Sequence, residues 1–231
     1  SIDQRKAYLK SYVQTYIREE IRIEQLVRDL EPFRDFLEVA AQMNGKIINY
    51  SKIAREIGST DKTVRSYFQI LCDTYIGFYL KPFHRSIRKA QTESPKFYFF
   101  DIGVKKVLDK SLDSHFVPST ASYGEAFEHL VIIEIQNRFS YLQKDYSFSF
   151  FRTKEGNEID LVISFNRREE VLVEIKSSSK IDPTEVLYLE KMSESFNTKH
   201  IFYLSRAPAP QKRGKVRCLH YLEGIEEILL L

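Results

Sequence analysis

The sequence predicts an α+β or α/β protein in two parts: a helical half closed by a hairpin, then a mixed sheet covered by helices. Three observations carry this. Apolar residues recur at helical spacing through most of positions 3–75. Two aromatic runs, 76–83 and 96–101, alternate or run apolar as strands do. Beyond position 119 a long helical pattern is followed by short apolar runs at 158–165, 171–176 and 200–205, parted by turns and one further helix.

Element by element, residues 3–30 read as one helix, with Tyr8, Tyr12, Tyr16, Ile23, Leu26, Val27 and Leu30 spaced among charges. Residues 33–43 form a second, through Phe33, Phe36, Leu37, Ala40 and Ala41, and Gly45 ends it. A short helix over 51–58 is followed by Ser59, Thr60 and Asp61 as turn and N-cap. Residues 62–75 then place Val64, Phe68, Leu71 and Tyr75 inward. The polar, basic stretch 84–95 lies between the two strands. Helix, short helix, tight turn, helix and hairpin is the order of a winged helix-turn-helix, with 84–95 as the wing. Its second helix would turn Lys62, Arg65, Ser66 and Gln69 outward, residue types that reach phosphates and base edges. On this pattern residues 1–32 are a helical linker and 33–118 the winged-helix domain. A short helix and a Ser/Pro-containing connection over 104–118 lead to a boundary near Pro118.

The remainder, 119–231, predicts a helix over Tyr123–Phe139 with Phe127, Leu130, Val131 and Ile135 inward. Strands follow at 147–152, 158–165 and 171–176, then a helix at 183–196 and strands at 200–205 and 216–222.

Composition narrows the function classes. Of 231 residues 43% are hydrophobic and 29% charged, enough for a sizeable core and too apolar for wholesale disorder. No apolar run approaches the roughly 18–20 residues of a membrane span, and no signal peptide opens the chain, so no membrane partner is expected. Cys72 and Cys218 offer neither a disulfide framework nor metal spacing and fit a cytoplasmic protein. The formal net charge is +3, but residues 1–118 carry 20 basic and 15 acidic side chains against 15 and 17 in the rest. Basic stretches at 81–110 and at Arg206–Arg217 can contact phosphates; a merely solvated surface is the bland reading. The five histidines are scattered without zinc spacing, and no GxSxG exists.

Chemistry concentrates in Gly156-Asn-Glu-Ile-Asp160-Leu-Val-Ile and Val171-Leu-Val-Glu174-Ile-Lys176. Side chains alternate along a strand, so Glu174 and Lys176 share a face, as do Glu158 and Asp160. A short turn between the strands makes a hairpin, which brings Asp160 beside Glu174. Buried charges need a partner or a metal. Two carboxylates and a backbone carbonyl are hard ligands suited to Mg²⁺ or Mn²⁺, and a lysine beside them positions a water and stabilises developing charge. Glu128, on the preceding helix, is the expected third acid, with Glu125 in reserve. Tyr188, on the helix after the second strand, is a candidate substrate-side group, with core packing the default. The competing reading of the whole cluster is an ion pair on a solvated sheet face.

Helical Glu128, Asp160 and Glu174-x-Lys176 resemble the PD-(D/E)xK nuclease superfamily, with isoleucine in place of the proline before Asp160. A broader resemblance runs through Tyr75-Ile-Gly-Phe-Tyr-Leu, Lys96-Phe-Tyr-Phe-Phe-Asp-Ile-Gly103, Tyr123-Gly-Glu-Ala-Phe-Glu128, Asn157-Glu-Ile-Asp160 and Val173-Glu-Ile-Lys176. It is to the carboxy-terminal portion of a prokaryotic family of AAA-type ATPases, in which a P-loop module precedes a winged helix and a nuclease-like domain. The resemblance implies a restriction-endonuclease-like domain over 119–231, with Glu128, Asp160 and Glu174 as metal ligands and Lys176 as catalytic partner. Lys62, Arg65, Gln69, Arg85, Arg88 and Lys89 are the expected DNA contacts. This chain has no Gly-x-x-x-x-Gly-Lys-Ser/Thr loop, so it is expected not to hydrolyse ATP. Its already helical start suggests either a fragment of a longer ATPase or a protein that lost that module, and an ATPase module in cis or in trans is an expected partner. The expected activity is Mg²⁺- or Mn²⁺-dependent cleavage of DNA; the alternative is a non-catalytic DNA-binding or regulatory module. An oligomer is compatible with either.

Overall fold

A computed structural model describes residues 1–23, 27, 30–86, 93–143, 146–165 and 169–231. Its chain is mixed α+β and divides into two units, Ser1–Leu80 with Ser94–His115, and Lys81–Glu93 with Phe116–Leu231.

In the first unit, helix α1 (Ile2–Thr15) opens on a capping box: Ser1 Oγ accepts the Gln4 N–H while the Gln4 side chain reaches back. The expected single helix over 3–30 is not what forms. From Tyr16 to Ile23 the backbone turns as a π-helix. The wider turn brings Tyr16 and Ile21, five residues apart, into the same buried cluster. Leu30 belongs to the next helix, α2 (Leu30–Gln42), whose Phe33, Phe36, Leu37, Ala40 and Ala41 are all buried. Helix α3 (Tyr50–Glu56) is capped by Asn49, and α4 (Asp61–Asp73) by Thr60, whose hydroxyl accepts the Thr63 N–H. Val64, Phe68 and Leu71 fill the core as their spacing predicts, joined by Tyr67. Tyr75 does not: it takes a left-handed φ of 58° just after α4 and is 86% exposed. Strand β1 (Gly77–Pro82) pairs antiparallel with β2 (Lys96–Phe99) from Gly77 opposite Phe99 to Leu80 opposite Lys96. Helix α5 (Ile102–Leu108), capped by Asp101, packs on α1.

In the second unit, Lys81 and Pro82 at the end of β1 run parallel to β3 (Tyr146–Arg152). From β3 the sheet continues through β4 (Glu158–Phe165), β5 (Glu169–Ile175), β6 (His200–Ser205) and β8 (Val216–His220) to the edge strand β7 (Gln211–Arg213). Pairs β3–β4, β4–β5 and β7–β8 are antiparallel; β5–β6 and β6–β8 are parallel. Central strands β4, β5 and β6 are near-continuous apolar runs because both their faces are covered. One face takes α6 (Ala121–Leu142) and α8 (Tyr221–Leu229), which pack on each other. Gly224 of α8 comes so close to Leu204 of β6 that an added Cβ would stand 2.1 Å from it. On the opposite face α7 (Pro183–Ser193) buries Val186 and Leu189 against Leu172, Ile201 and Tyr203.

Two further expectations are corrected, and one strand was not expected. Leu130 lies on the outer side of α6, 37% exposed; Phe127, Val131, Ile135 and Phe139, four residues apart, supply the buried stripe. The strand expected over 216–222 stops at His220, and the chain turns into α8. Strand β7, three exposed residues without an apolar signal, forms by pairing with β8. Both cysteines are unbridged; Cys218 is buried and Cys72 packs against the first core. No helix among the described residues is long and apolar enough to cross a membrane.

Candidate metal centre

The antiparallel register sets Leu161 opposite Val173 and Val162 opposite Leu172. One step further, Asp160 comes opposite Glu174, and there the ladder gives way to a side chain. Asp160 Oδ2 accepts the Ile175 N–H at 2.7 Å, doing for the end of β5 what a backbone carbonyl does elsewhere in the sheet. The carboxylate is 7% exposed.

Alternation carries Leu172, Glu174 and Lys176 to one face. Leu172 packs in the cluster under α7; Glu174 follows, 8% exposed, at the margin of that cluster. Lys176 Nζ donates to Glu174 Oε1 at 2.5 Å. Glu174 Oε2 is fully buried and has no hydrogen-bond partner among the described residues. Such an atom loses its hydration without replacement, which ordinarily costs about 1–3 kcal/mol and more for a charged group.

Charges around the cluster are unequal in effect. Burial pushes the Glu174 carboxyl above its ordinary value; Lys176 opposes this, and Glu185 and Glu128 reinforce it. Burial also works against the Lys176 ammonium. The Asp160 and Glu174 carboxylates, with Glu185 behind them, outweigh it and hold that pKa above the ordinary lysine range. Lys176 is therefore a permanent cation at neutral pH, a hydrogen-bond donor and not a base.

Glu185 is the residue that sequence reasoning missed. It stands in the first turn of α7, and its Oε2 accepts the Tyr203 hydroxyl at 2.5 Å. Tyr203, fully buried on β6, is the register partner of Glu174. Burial and the Glu185 carboxylate raise the Tyr203 phenol, which stays a proton donor. The available signal was an acid early in the helix after the Glu-x-Lys strand, which reads equally well as a favourable charge at a helix N-terminus.

The structure thus brings Asp160, Glu174 and Lys176 together as the hairpin predicted. Glu128 is half-buried on α6 and acts on Glu174 through its charge. Among the described residues no three Asp, Glu, His or Cys side chains converge as a formed cation-binding group. The donor chemistry nonetheless fits a hard divalent cation: two adjoining buried carboxylates, one with an orphaned oxygen, and further acids close enough to be felt. Glu125 and Tyr188 are exposed.

The expected DNA contacts fall in different units. Lys62, Arg65 and Gln69 are exposed on the outer face of α4, as their spacing predicts. Arg65 lies over the Tyr50 ring at 3.7 Å, and Gln69 donates to Asp73. Arg85 belongs to the second unit, where it donates to the Ser195 carbonyl at 2.9 Å. Arg88 and Lys89 lie outside the described residues.

Two family profiles match the chain. Residues 1–114 match a domain of unknown function (DUF8612), and residues 123–222 match a second domain of unknown function (DUF4143). Two curated proteins, the uncharacterized protein Mb2031c of Mycobacterium bovis and the uncharacterized protein Rv2008c of Mycobacterium tuberculosis, are each 25% identical over 128 residues. The match takes in 55% of this chain and 28% of each relative. No solved structure matches.

Proposed function

We propose that the second unit is a PD-(D/E)xK-type phosphodiesterase centre acting on DNA, and that α2, α3 and α4 of the first unit, with its paired residues Gly77–Leu80 and Lys96–Phe99, act as a winged-helix DNA-docking module. One observation carries the reading: a buried, unpartnered carboxylate oxygen on Glu174, beside Asp160 and an always-charged Lys176, at the edge where two central strands part. A fold gains nothing from leaving such an atom bare, whereas a Mg²⁺ or Mn²⁺ ligand must keep an oxygen available.

Asp160 and Glu174 would hold the cation, with Glu128 as the further acid. The cation would supply Lewis acidity to a phosphate oxygen and lower the pKa of a bound water. Lys176, fixed by Glu174 and permanently protonated, orients the attacking water and stabilises negative charge as it develops on the phosphorus oxygens. The Tyr203–Glu185 pair holds the floor beneath Glu174. Exposed cations on α4 dock the phosphate backbone. The order of the two matched domains suits the carboxy-terminal portion of an AAA-type ATPase, with the P-loop module supplied in cis or in trans.

The second reading is a non-catalytic DNA-binding or regulatory module. It is favoured by the ion pair that Lys176 already makes with Glu174. Mn²⁺ titration calorimetry and plasmid nicking, on wild type and Glu174→Gln, separate the two. The catalytic reading expects wild type to bind Mn²⁺ and nick, and the variant to lose both while keeping its circular dichroism. A folded wild type that neither binds nor nicks leaves the regulatory reading.

A further inference from the structure

Apart from the acidic centre, the second unit carries an aromatic cleft of about 340 Å³, lined by Phe83, His84, Arg85, Ser86, Phe151, Ser195 and Phe196. We infer that this cleft binds one unpaired nucleotide of a DNA strand, its base against the phenylalanine rings and its phosphate at Arg85. The inference rests on the nucleic-acid half of the proposed function and not on the cation.

The three phenylalanines come from separate segments. Phe151 stands on β3. Phe83 follows β1, held by its own N–H on the Phe150 carbonyl at 2.6 Å. Phe196 lies just beyond α7, its N–H on the Ser193 carbonyl. Phe196 is the hub: its centroid is 5.1 Å from Phe83 and 5.0 Å from Phe151, the latter ring edge-on at 87°. All three pack on the core beneath and are half-buried. Phe150 next door, by contrast, is buried at 2%.

The rim carries one arginine, Arg85, and beside it His84 Nε2 stands 2.9 Å from Glu93 Oε1. Arg85 is exposed, and its bond to the Ser195 carbonyl pins the guanidinium beside Phe196. A guanidinium has five N–H donors; among the described residues this one has no acidic partner. None of the lining residues is acidic. An aromatic floor with a fixed cation at its lip matches a ligand that joins a flat π-face to an anion at short range, which is a nucleotide. The volume stands at the lower end of the roughly 300–1,000 Å³ of small-ligand pockets, so it takes one unit of a strand. In a duplex the base faces are stacked away, so the fitting substrate is single-stranded or frayed.

The test is photocrosslinking of the full chain to oligothymidylate carrying 5-iododeoxyuridine, in EDTA, with the crosslinked peptide mapped by mass spectrometry. Saturable binding and a crosslink on Phe83, Phe151 or Phe196 are expected. Arg85→Glu and Phe196→Leu should each weaken binding by at least about five-fold, in line with one lost stacking or phosphate contact. Binding that persists in EDTA, where no divalent cation can occupy the acidic centre, keeps this result separate from the fate of that centre. Crosslinks confined to α4, equal competition by duplex, displacement by an acidic aromatic peptide at lower concentration, or no binding at all would each overturn the inference. Mapping on the wild-type chain needs no variant to fold.

Discussion

Replacing Lys176 by methionine removes the partner of a buried carboxylate and keeps most of the side chain's bulk. Glu174 is 8% exposed, and its second oxygen already lacks a partner. Breaking a fully buried pair costs about 3–5 kcal/mol, mostly from the charge left behind. The Lys176 side chain is 31% exposed, so water enters when it goes, and the expected loss falls to about 2–3 kcal/mol near neutral pH. The pH dependence has a definite sign. Burial sets the folded Glu174 pKa above its unfolded value, and losing Lys176 raises it further. The folded chain then binds the proton more tightly than the unfolded one. Relative to wild type, Lys176→Met should lose least at and below the ordinary carboxylate pKa, and progressively more as pH rises through the elevated folded value. Urea denaturation of both proteins across that range reads the difference directly. Two rescues are expected: Glu174→Gln in the same chain restores most of the stability, and Mn²⁺ restores it without mutation. A loss independent of pH, or a double variant no more stable than Lys176→Met, would refute the premise that an uncompensated carboxylate is the cause.

Further outcomes follow from the same geometry. Asp160→Ala leaves the Ile175 N–H without its acceptor and should cost about 1–3 kcal/mol by thermal unfolding, whereas Asp160→Asn keeps an oxygen there and should cost less. Tyr203→Phe breaks the bond to Glu185, for roughly 1.5 kcal/mol, since half-buried Glu185 regains water. Gly77→Ala would set a Cβ 2.6 Å from the Tyr98 carbonyl and 2.3 Å from the Phe97 ring; backbone cannot retreat as a flexible side chain can, so a loss of at least about 1–3 kcal/mol is expected in denaturant melts. Lys62→Ala should weaken duplex binding across sequences and lower the salt slope by about one, read by anisotropy at several salt concentrations.

The acidic centre was legible because two short-range rules suffice for it. Alternation puts Glu174 and Lys176 on one face, and a tight hairpin puts Asp160 opposite Glu174. Glu185 was not legible, because it reaches the centre through Tyr203, a contact made across β6 after the chain has passed through α7. In the fold, caps and apolar spacing located α2 to α4 and the central strands. Helix α8 was hidden for a local reason. His220 gives it no side-chain cap, and Gly224, poor in a helix, is there so that the helix can lie close on Leu204. Strand β7 has no apolar pattern at all and exists only by pairing with β8. The π-helical turn at Tyr16–Ile23 escaped because a period near 3.6 was assumed where the core selects a longer one.

Asp160 closes the end of β5 as well as facing the candidate cation, and the two duties have different evolutionary consequences. In a descendant released from chemistry, Asp160 would still be retained, since its loss strands the Ile175 N–H. Glu174 would have no such protection: one oxygen serves Lys176, and the other has no hydrogen-bond partner among the described residues. Glutamine or leucine should drift into position 174 first. A lineage that keeps glutamate there is under selection for something other than the sheet, so position 174 distinguishes working copies from relics where position 160 does not.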